Sequence, residues 1–261
     1  MTHAETKTAD VPVPAATPLL DGRRFLVTGG ARGLGAAIAG TLVAHGARVA
    51  VVDLHEPAVP SPWPFAAADV ADEESMGRAM RAFADGGTFD GLVAAAGVVP
   101  AWHSPAEIEL DDFDRTMSVN VRGVVTAIKS VAAAMPHGST IVAIGSLNSW
   151  RGDRNLLSYA ASKHAVLGVV RSTALALGGR GIRVNAVAPG PVATEALLSR
   201  IEARAAMTGL SRDEALATVA DTTALGRLAT AQDVADAVLF LSSPLSAAIT
   251  GHLLPVDGGM L

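Results

Sequence analysis

Val27-Thr28-Gly29-Gly30-Ala31-Arg32-Gly33-Leu34-Gly35 is a short apolar run that breaks into glycines and then opens an alanine-rich helical stretch. Glycines placed between a strand and a helix permit a tight turn. They also let a diphosphate approach the backbone and set it against the helix N-terminus. Gly29, Arg32, Gly33, Leu34 and Gly35 are therefore the expected walls of a dinucleotide site. The next β-branched run ends in Asp53, whose carboxylate is placed to accept hydrogen bonds from ribose hydroxyls. At about 4 Å it would repel a 2′-phosphate by roughly 1–4 kcal/mol per unit charge, so NAD is the expected cofactor and NADP the less favoured one. Arg32, Arg48 and His55, close by in sequence, offset part of that repulsion.

Outward from this turn, apolar runs alternate with amphipathic stretches, the rhythm of a parallel sheet flanked by helices. Strands are predicted over residues 24–28, 47–53, 65–68, 91–95, 140–146, 182–188 and 252–256. Several lack polar alternation, as strands buried on both faces do. Helices are predicted over 33–45, 72–84, about 111–135, 156–177 and 231–241. The simplest architecture is one doubly wound α/β domain over 21–261 with a seven-stranded parallel sheet. Residues 191–226 carry no strand signal and read as two short helices, the second opened by Ser211 with Glu214 as a capping box. They are expected to form a helical lid over a substrate.

The composition excludes several classes. The chain has 261 residues, half of them apolar, which suffices for a large core. With no cysteine, a disulfide framework, a cysteine zinc site and a cysteine nucleophile are ruled out. A formal charge of −5 and scattered arginines give no basic footprint for nucleic acid. The longest apolar stretch, 92–102, is too short to span a bilayer and contains Gly97 and Pro100. Residues 1–20 carry no leader pattern and are expected to be a flexible tail on a cytoplasmic protein. There is no phosphate-loop lysine motif, no Gly-x-Ser-x-Gly elbow and no His-Glu-x-x-His, and the seven histidines are dispersed, so no metal is expected.

Tyr159-Ala160-Ala161-Ser162-Lys163 sets a phenol and an ammonium four residues apart, on one helix face. The chain has one tyrosine and three lysines, so chance places a lysine at that offset on the order of 1% of the time. Bringing a phenol from about 10 to near 7 takes roughly 4 kcal/mol, and an ammonium about 5 Å away supplies on the order of 3 kcal/mol at an effective dielectric of 20. Ser146 ends the fifth predicted strand, at the edge where open α/β sheets bind ligands, and its hydroxyl can hold a substrate oxygen.

With these residues in place, the chain from about Leu20 onward resembles the short-chain dehydrogenase/reductase family. Thr28-Gly29-x-x-x-Gly33-x-Gly35 is similar to its cofactor turn, and Ser146, Tyr159 and Lys163, with Asn120 in Val119-Asn120-Val121-Arg122-Gly123, are similar to its catalytic tetrad. Asp69-Val70 is similar to its adenine-contacting pair, and Pro189-Gly190 with Val192 and Thr194 to the segment that holds the nicotinamide carboxamide. Val256-Asp257-Gly258-Gly259 is similar to a C-terminal signature near a subunit interface. Ala94-Ala95-Ala96-Gly97 departs from the usual Asn-Asn-Ala-Gly; the backbone at Ala95, Ala96 and Gly97 still lines the cofactor groove, without the two amide side chains.

The resemblance implies a Rossmann-type fold and an NAD-dependent interconversion of a secondary alcohol and its ketone. Tyr159 would act as general base or acid, Lys163 would hold the nicotinamide ribose and lower the tyrosine pKa, Ser146 would orient the reacting oxygen, and Asn120 would hold a relaying water. It also implies a homotetramer built through the helices over 111–135 and 156–177. Two alternatives stay open: an NADPH-dependent ketone reductase, and a dinucleotide-binding sensor without turnover. Pocket candidates are residues 98–103, Ser146, Asn148, Trp150, Arg151, Arg154, Leu197, Leu198, Ile201 and Met207. Their apolar members favour a hydrophobic secondary alcohol, with sugars or polyols as the runner-up.

Overall fold

The computed structural model describes residues 18–57, 61–194, 197, 198, 201 and 211–260. Seven strands, β1 (Arg24–Thr28), β2 (Arg48–Asp53), β3 (Phe65–Ala67), β4 (Gly91–Ala94), β5 (Thr140–Ile144), β6 (Arg183–Pro189) and β7 (Leu253–Val256), form one parallel sheet. Its order is β3-β2-β1-β4-β5-β6-β7, so the winding reverses between β1 and β4. In open sheets the crevice at such a reversal, outside the carboxyl ends of the strands, receives the ligand.

Side-chain alternation along the strands divides the core in two. Leu26, Val52, Leu92 and Ile141 face a layer built from α2 (Glu73–Ala82), α4 (Gly123–Ala132) and α5 (Leu157–Gly178). Phe25, Val27, Val51 and Val142 face the other layer, α1 (Gly33–Ala44) and α7 (Ala231–Ser242). Each fully buried Leu, Ile or Phe contributes about 1.5–3 kcal/mol, which favours the strictly apolar strands.

Most boundaries differ from the sequence expectation by a residue or two, and a few differ in ways that shape the site. Leu20 is fully buried beside Leu19, with its N–H on the His45 carbonyl, so the tail predicted over 1–20 gives way to packed chain before residue 20. Residues 1–17 of that tail lie outside the described residues. The helix predicted over 111–135 is α3 (Leu110–Met117), a π-type turn over Ser118–Arg122, and α4, which stops at Ala132. Arg180 donates to the carbonyls of Ala132, Ala133 and Met135 and closes that end. Strands β4 and β5 end one and two residues early, where the N–H groups of Ala95 and Gly145 make bonds to the Thr28 and Val187 carbonyls of the neighbouring strands before the chain turns into the site. The capping box at Ser211 is present and opens α6 (Arg212–Ala220). Of the remaining lid, Leu197 and Leu198 are half-buried and Ile201 is buried, while Met207 and residues 202–210 lie outside the described residues.

Candidate active site

The carboxyl ends of β1, β2, β4, β5 and β6 carry the residues singled out by the sequence. After β1 the chain turns at Gly29, whose φ is +68°, and its N–H bonds the Val52 carbonyl at 2.7 Å. A Cβ on Gly29 would lie 2.6 Å from the Ala96 Cα, and one on Gly35 would lie 2.0 Å from the Gly29 carbonyl oxygen. Gly33, at φ +57°, has open space where its side chain would be. The N-terminus of α1 has no side-chain cap and no acid in its first turn, which leaves its positive end open. A backbone cradle that only glycine permits, facing an uncapped helix end, fits the diphosphate of a dinucleotide.

Asp53, at the end of β2, is tied to this turn. One carboxylate oxygen accepts the Ala31 N–H at 3.1 Å and the other accepts the His55 N–H at 3.3 Å. Asp69 accepts the Ala71 N–H at 2.8 Å and so shapes the bend that carries Val70, which packs on Gly123 at the start of α4. The Ala95 N–H donates to the Thr28 carbonyl and the Ala96 N–H to the Thr28 hydroxyl, so the backbone after β4 closes the groove beside β1 without side-chain amides at Ala94 and Ala95.

Across the groove stand the four residues expected to form the tetrad, Asn120, Ser146, Tyr159 and Lys163. Ser146 is buried and caps a 3₁₀ turn over Leu147–Ser149; its hydroxyl accepts the Asn148 N–H at 3.1 Å, and the Ser149 hydroxyl accepts the Ser146 N–H. Tyr159 and Lys163 lie one turn apart on α5, with the ammonium 5.6 Å from the phenol ring centroid. Lys163 is almost fully buried and donates to the Ile144 carbonyl at 2.7 Å, the last residue of β5. Burial lowers its pKa from 10.5 to about 8, because the charged form is stripped of water.

Asn120 sits inside the π-type turn and is fully buried. Its Oδ1 accepts the Val98 N–H at 2.8 Å, and its Nδ2 donates to the Val98 carbonyl at 2.9 Å and to the Ser162 hydroxyl at 3.0 Å. Three of the four hydrogen bonds its amide can make are therefore spent inside the protein. The sequence reading of Asn120 as a water ligand missed this clamp on the backbone after β4. Gly97 lies in the same corner, where a Cβ would be 3.2 Å from the Asn120 Oδ1 and 3.8 Å from the Lys163 Nζ.

The segment expected to hold the carboxamide follows β6. The Gly190 N–H bonds the Val256 carbonyl at 3.0 Å, and a Cβ there would strike Asp257 at 2.8 Å, so Pro189-Gly190 is locked to β7 and the C-terminal Asp-Gly-Gly turn. Val192 bridges to Ala229, and the Thr194 hydroxyl accepts the Leu197 N–H at 3.3 Å, capping the turn that carries Leu197 and Leu198. Of the pocket candidates, Asn148 is half-buried, Trp150 and Trp102 are 41% and 44% exposed, and Arg151 and Arg154 are exposed. The His103 N–H donates to the Asn155 carbonyl, which ties the loop after β4 to the loop that leads into Tyr159. Residues 29–261 match the family model described as enoyl-(acyl carrier protein) reductase. A protein of Arabidopsis thaliana named short-chain dehydrogenase reductase 5 is 40% identical, the match covering 92% of this chain and 95% of the relative.

The chain belongs to the short-chain dehydrogenase/reductase family. It is an oxidoreductase acting on CH–OH groups, and nicotinamide dinucleotides are the cofactors of its family. The (+)-borneol dehydrogenase 2 of Salvia officinalis is 38% identical over 97% of this chain and 95% of that protein. The aldohexose dehydrogenase of Thermoplasma acidophilum superposes with a TM-score of 0.87 at 27% identity, over 94% of this chain and 96% of that one. Among the described residues, no helix is long and apolar enough to cross a membrane, and no group of three or more His, Cys, Asp or Glu is placed to hold a metal ion.

Proposed function

We propose that this short-chain dehydrogenase interconverts a secondary alcohol and its ketone with NAD, using Tyr159 to move the proton. The observation that carries this reading is the buried Lys163 ammonium 5.6 Å from the ring centroid of Tyr159, the only tyrosine of the chain. When bound, the nicotinamide dinucleotide supplies the acceptor or donor of the hydride. The glycine turn and the α1 N-terminus hold its diphosphate, Asp53 accepts from the adenosine ribose, Asp69 and Val70 flank the adenine, and the backbone from Ala95 to Gly97 forms the groove wall. Pro189, Gly190, Val192 and Thr194 would hold the carboxamide, and Lys163 would bind the nicotinamide ribose.

In the oxidation direction the Tyr159 phenolate takes the hydroxyl proton of the substrate. The Lys163 charge favours that phenolate by on the order of 3 kcal/mol at about 5 Å and an effective dielectric of 20. The Ser146 hydroxyl donates to the reacting oxygen and holds it against the phenol. Reduction runs through the same groups with Tyr159 as the acid. The Asp53 carboxylate opposes a 2′-phosphate, which supports NAD over NADP.

The substrate is a hydrophobic secondary alcohol, with Trp150, Asn148 and the apolar Leu197 turn beside the reacting oxygen and Arg154 at the rim. The half-exposed Trp102 and Trp150 and the likeness to a borneol dehydrogenase support this choice. The likeness to an aldohexose dehydrogenase favours sugars as the second reading. Assembly as a tetramer through the α3–α4 and α5 surfaces is part of the proposal, and light scattering that finds a monomer at working concentration removes it. The deciding experiment is a panel of cyclic terpene alcohols, aliphatic secondary alcohols and aldohexoses, each with NAD and with NADP. The largest kcat/KM is expected for an apolar alcohol with NAD; a preference for aldohexoses or for NADP overturns the corresponding part.

A further inference from the structure

Ser162 lies between Tyr159 and Lys163 in sequence, has no exposed surface, and has no role in the proton-transfer steps proposed above. A buried hydroxyl costs free energy unless it is bonded, and this one is bonded in both senses. It accepts from the Asn120 Nδ2 at 3.0 Å and donates to the Tyr159 carbonyl at 2.8 Å. The direction of the proton is unambiguous: the Asn120 Oδ1 is fixed as acceptor by the Val98 N–H at 2.8 Å, so Nδ2 is the donor and the serine proton is left for the carbonyl.

The result is an unbroken chain of bonds from the backbone that follows β4, through the π-type turn, into the helical turn that carries the phenol. Its two ends are the backbone beyond β4, at Val98, and the first turn of α5, at the Tyr159 carbonyl. Val98 adjoins Gly97, which stands 3.8 Å from the Lys163 Nζ at its hypothetical Cβ position. Tyr159 and Lys163 lie on the far side of the same corner. Fixing Asn120 to the Tyr159 carbonyl therefore sets the distance between the groove floor at Gly97 and the two catalytic side chains.

We infer that Ser162 is a positioning residue for the reaction, acting through Asn120 to hold the Tyr159–Lys163 turn in register with the Gly97–Val98 backbone. The inference rests on the alcohol oxidation proposed above. Removing the hydroxyl leaves an Asn120 N–H without its acceptor, frees the amide to move, and misplaces the phenol without touching substrate or cofactor. Misplacement on the scale of an ångström costs up to about 100-fold in rate.

The test is a double-mutant cycle on kcat with the best alcohol of the panel and saturating NAD, using Ser162→Ala, Asn120→Ala and the double variant. Dinucleotide affinity is read separately by fluorescence. Ser162→Ala is expected to lower kcat about 10- to 100-fold while the dinucleotide Kd moves less than about threefold. The double variant is expected to be no slower than Asn120→Ala by more than about threefold, since both changes break the same connection. Losses that multiply, or a Ser162→Ala enzyme within about twofold of wild type, overturn the inference. Should Ser162→Ala not fold, Ser162→Cys replaces it, because a thiol is a weak donor and a weak acceptor. A wild-type protein without turnover on any alcohol overturns the proposed function and this role together, whereas multiplying losses in an active enzyme overturn this role alone.

Discussion

Replacing Lys163 by methionine separates what the ammonium does for the reaction from what its burial does to stability. In the folded chain the group titrates near 8, against 10.5 when solvated, and the cause is desolvation. Between those two values the unfolded chain binds more protons than the folded one, so stability rises with pH across that window. Below about pH 8 the folded protein carries the full cost of a buried cation; above 10.5 both states are neutral and the cost is gone. At about 1.4 kcal/mol per pH unit, the cost is about 3 kcal/mol. Methionine removes it and leaves the Ile144 carbonyl without the 2.7 Å bond from Nζ, an offset that does not depend on pH. The comparison belongs in a Tyr159→Phe background, so that only the ammonium titrates in the site. Urea unfolding followed by the fluorescence of the three tryptophans, from pH 7 to 10.5, gives the stability difference between the chain that keeps Lys163 and its Lys163→Met variant. That difference should swing by about 3 kcal/mol, the methionine chain being relatively more stable at pH 7 and losing the advantage as pH rises. Two curves that stay parallel within about 1 kcal/mol would refute the claim that Lys163 is charged and desolvated at neutral pH.

Gly35→Ala forces a Cβ to within 2.0 Å of the Gly29 carbonyl oxygen, so dinucleotide binding measured by fluorescence titration should fall at least about 100-fold, with about 1–3 kcal/mol lost in urea unfolding. Gly40→Ala, in the same helix with no atom within 4 Å of the new Cβ, should instead gain roughly 0.5–1 kcal/mol and leave binding unchanged. Asp53→Asn keeps the shape that accepts the Ala31 N–H and removes the charge, so the ratio of kcat/KM for NADP over NAD should rise about 10- to 100-fold; an unchanged ratio would remove Asp53 from cofactor choice.

How far the sequence could be read follows from which physical signals have letters. β1, β2, β4, β5 and β6 were legible because each is an apolar run buried on both faces, β3 and β7 at the sheet's two edges are less buried, and the turn after β1 was legible because Gly29 and Gly35 admit no side chain. Tyr159 and Lys163 were legible because four residues make one helical turn. The π-type turn over Ser118–Arg122 was not, since an extra residue in a helix barely disturbs an apolar period; it shows only in where Asn120 ends up. The partner of Lys163 was also hidden, because the Ile144 carbonyl belongs to the backbone and any residue there would offer it. Ser162 reads in the sequence as a spacer between Tyr159 and Lys163, and only the approach of Asn120 from the π-type turn shows that its hydroxyl links two elements. Leu20 carries no periodic signal of its own at the end of the expected tail, and only its burial beside α1 makes it part of the core.

The proposed reaction stands or falls on the phenol of Tyr159 as the carrier of the proton. Tyr159→Phe removes one oxygen and leaves the glycine turn, Asp53 and Lys163 in place. The kcat for the best alcohol should fall by about 100- to 10,000-fold while the dinucleotide Kd stays within about threefold of wild type. Turnover within twofold of wild type would contradict it.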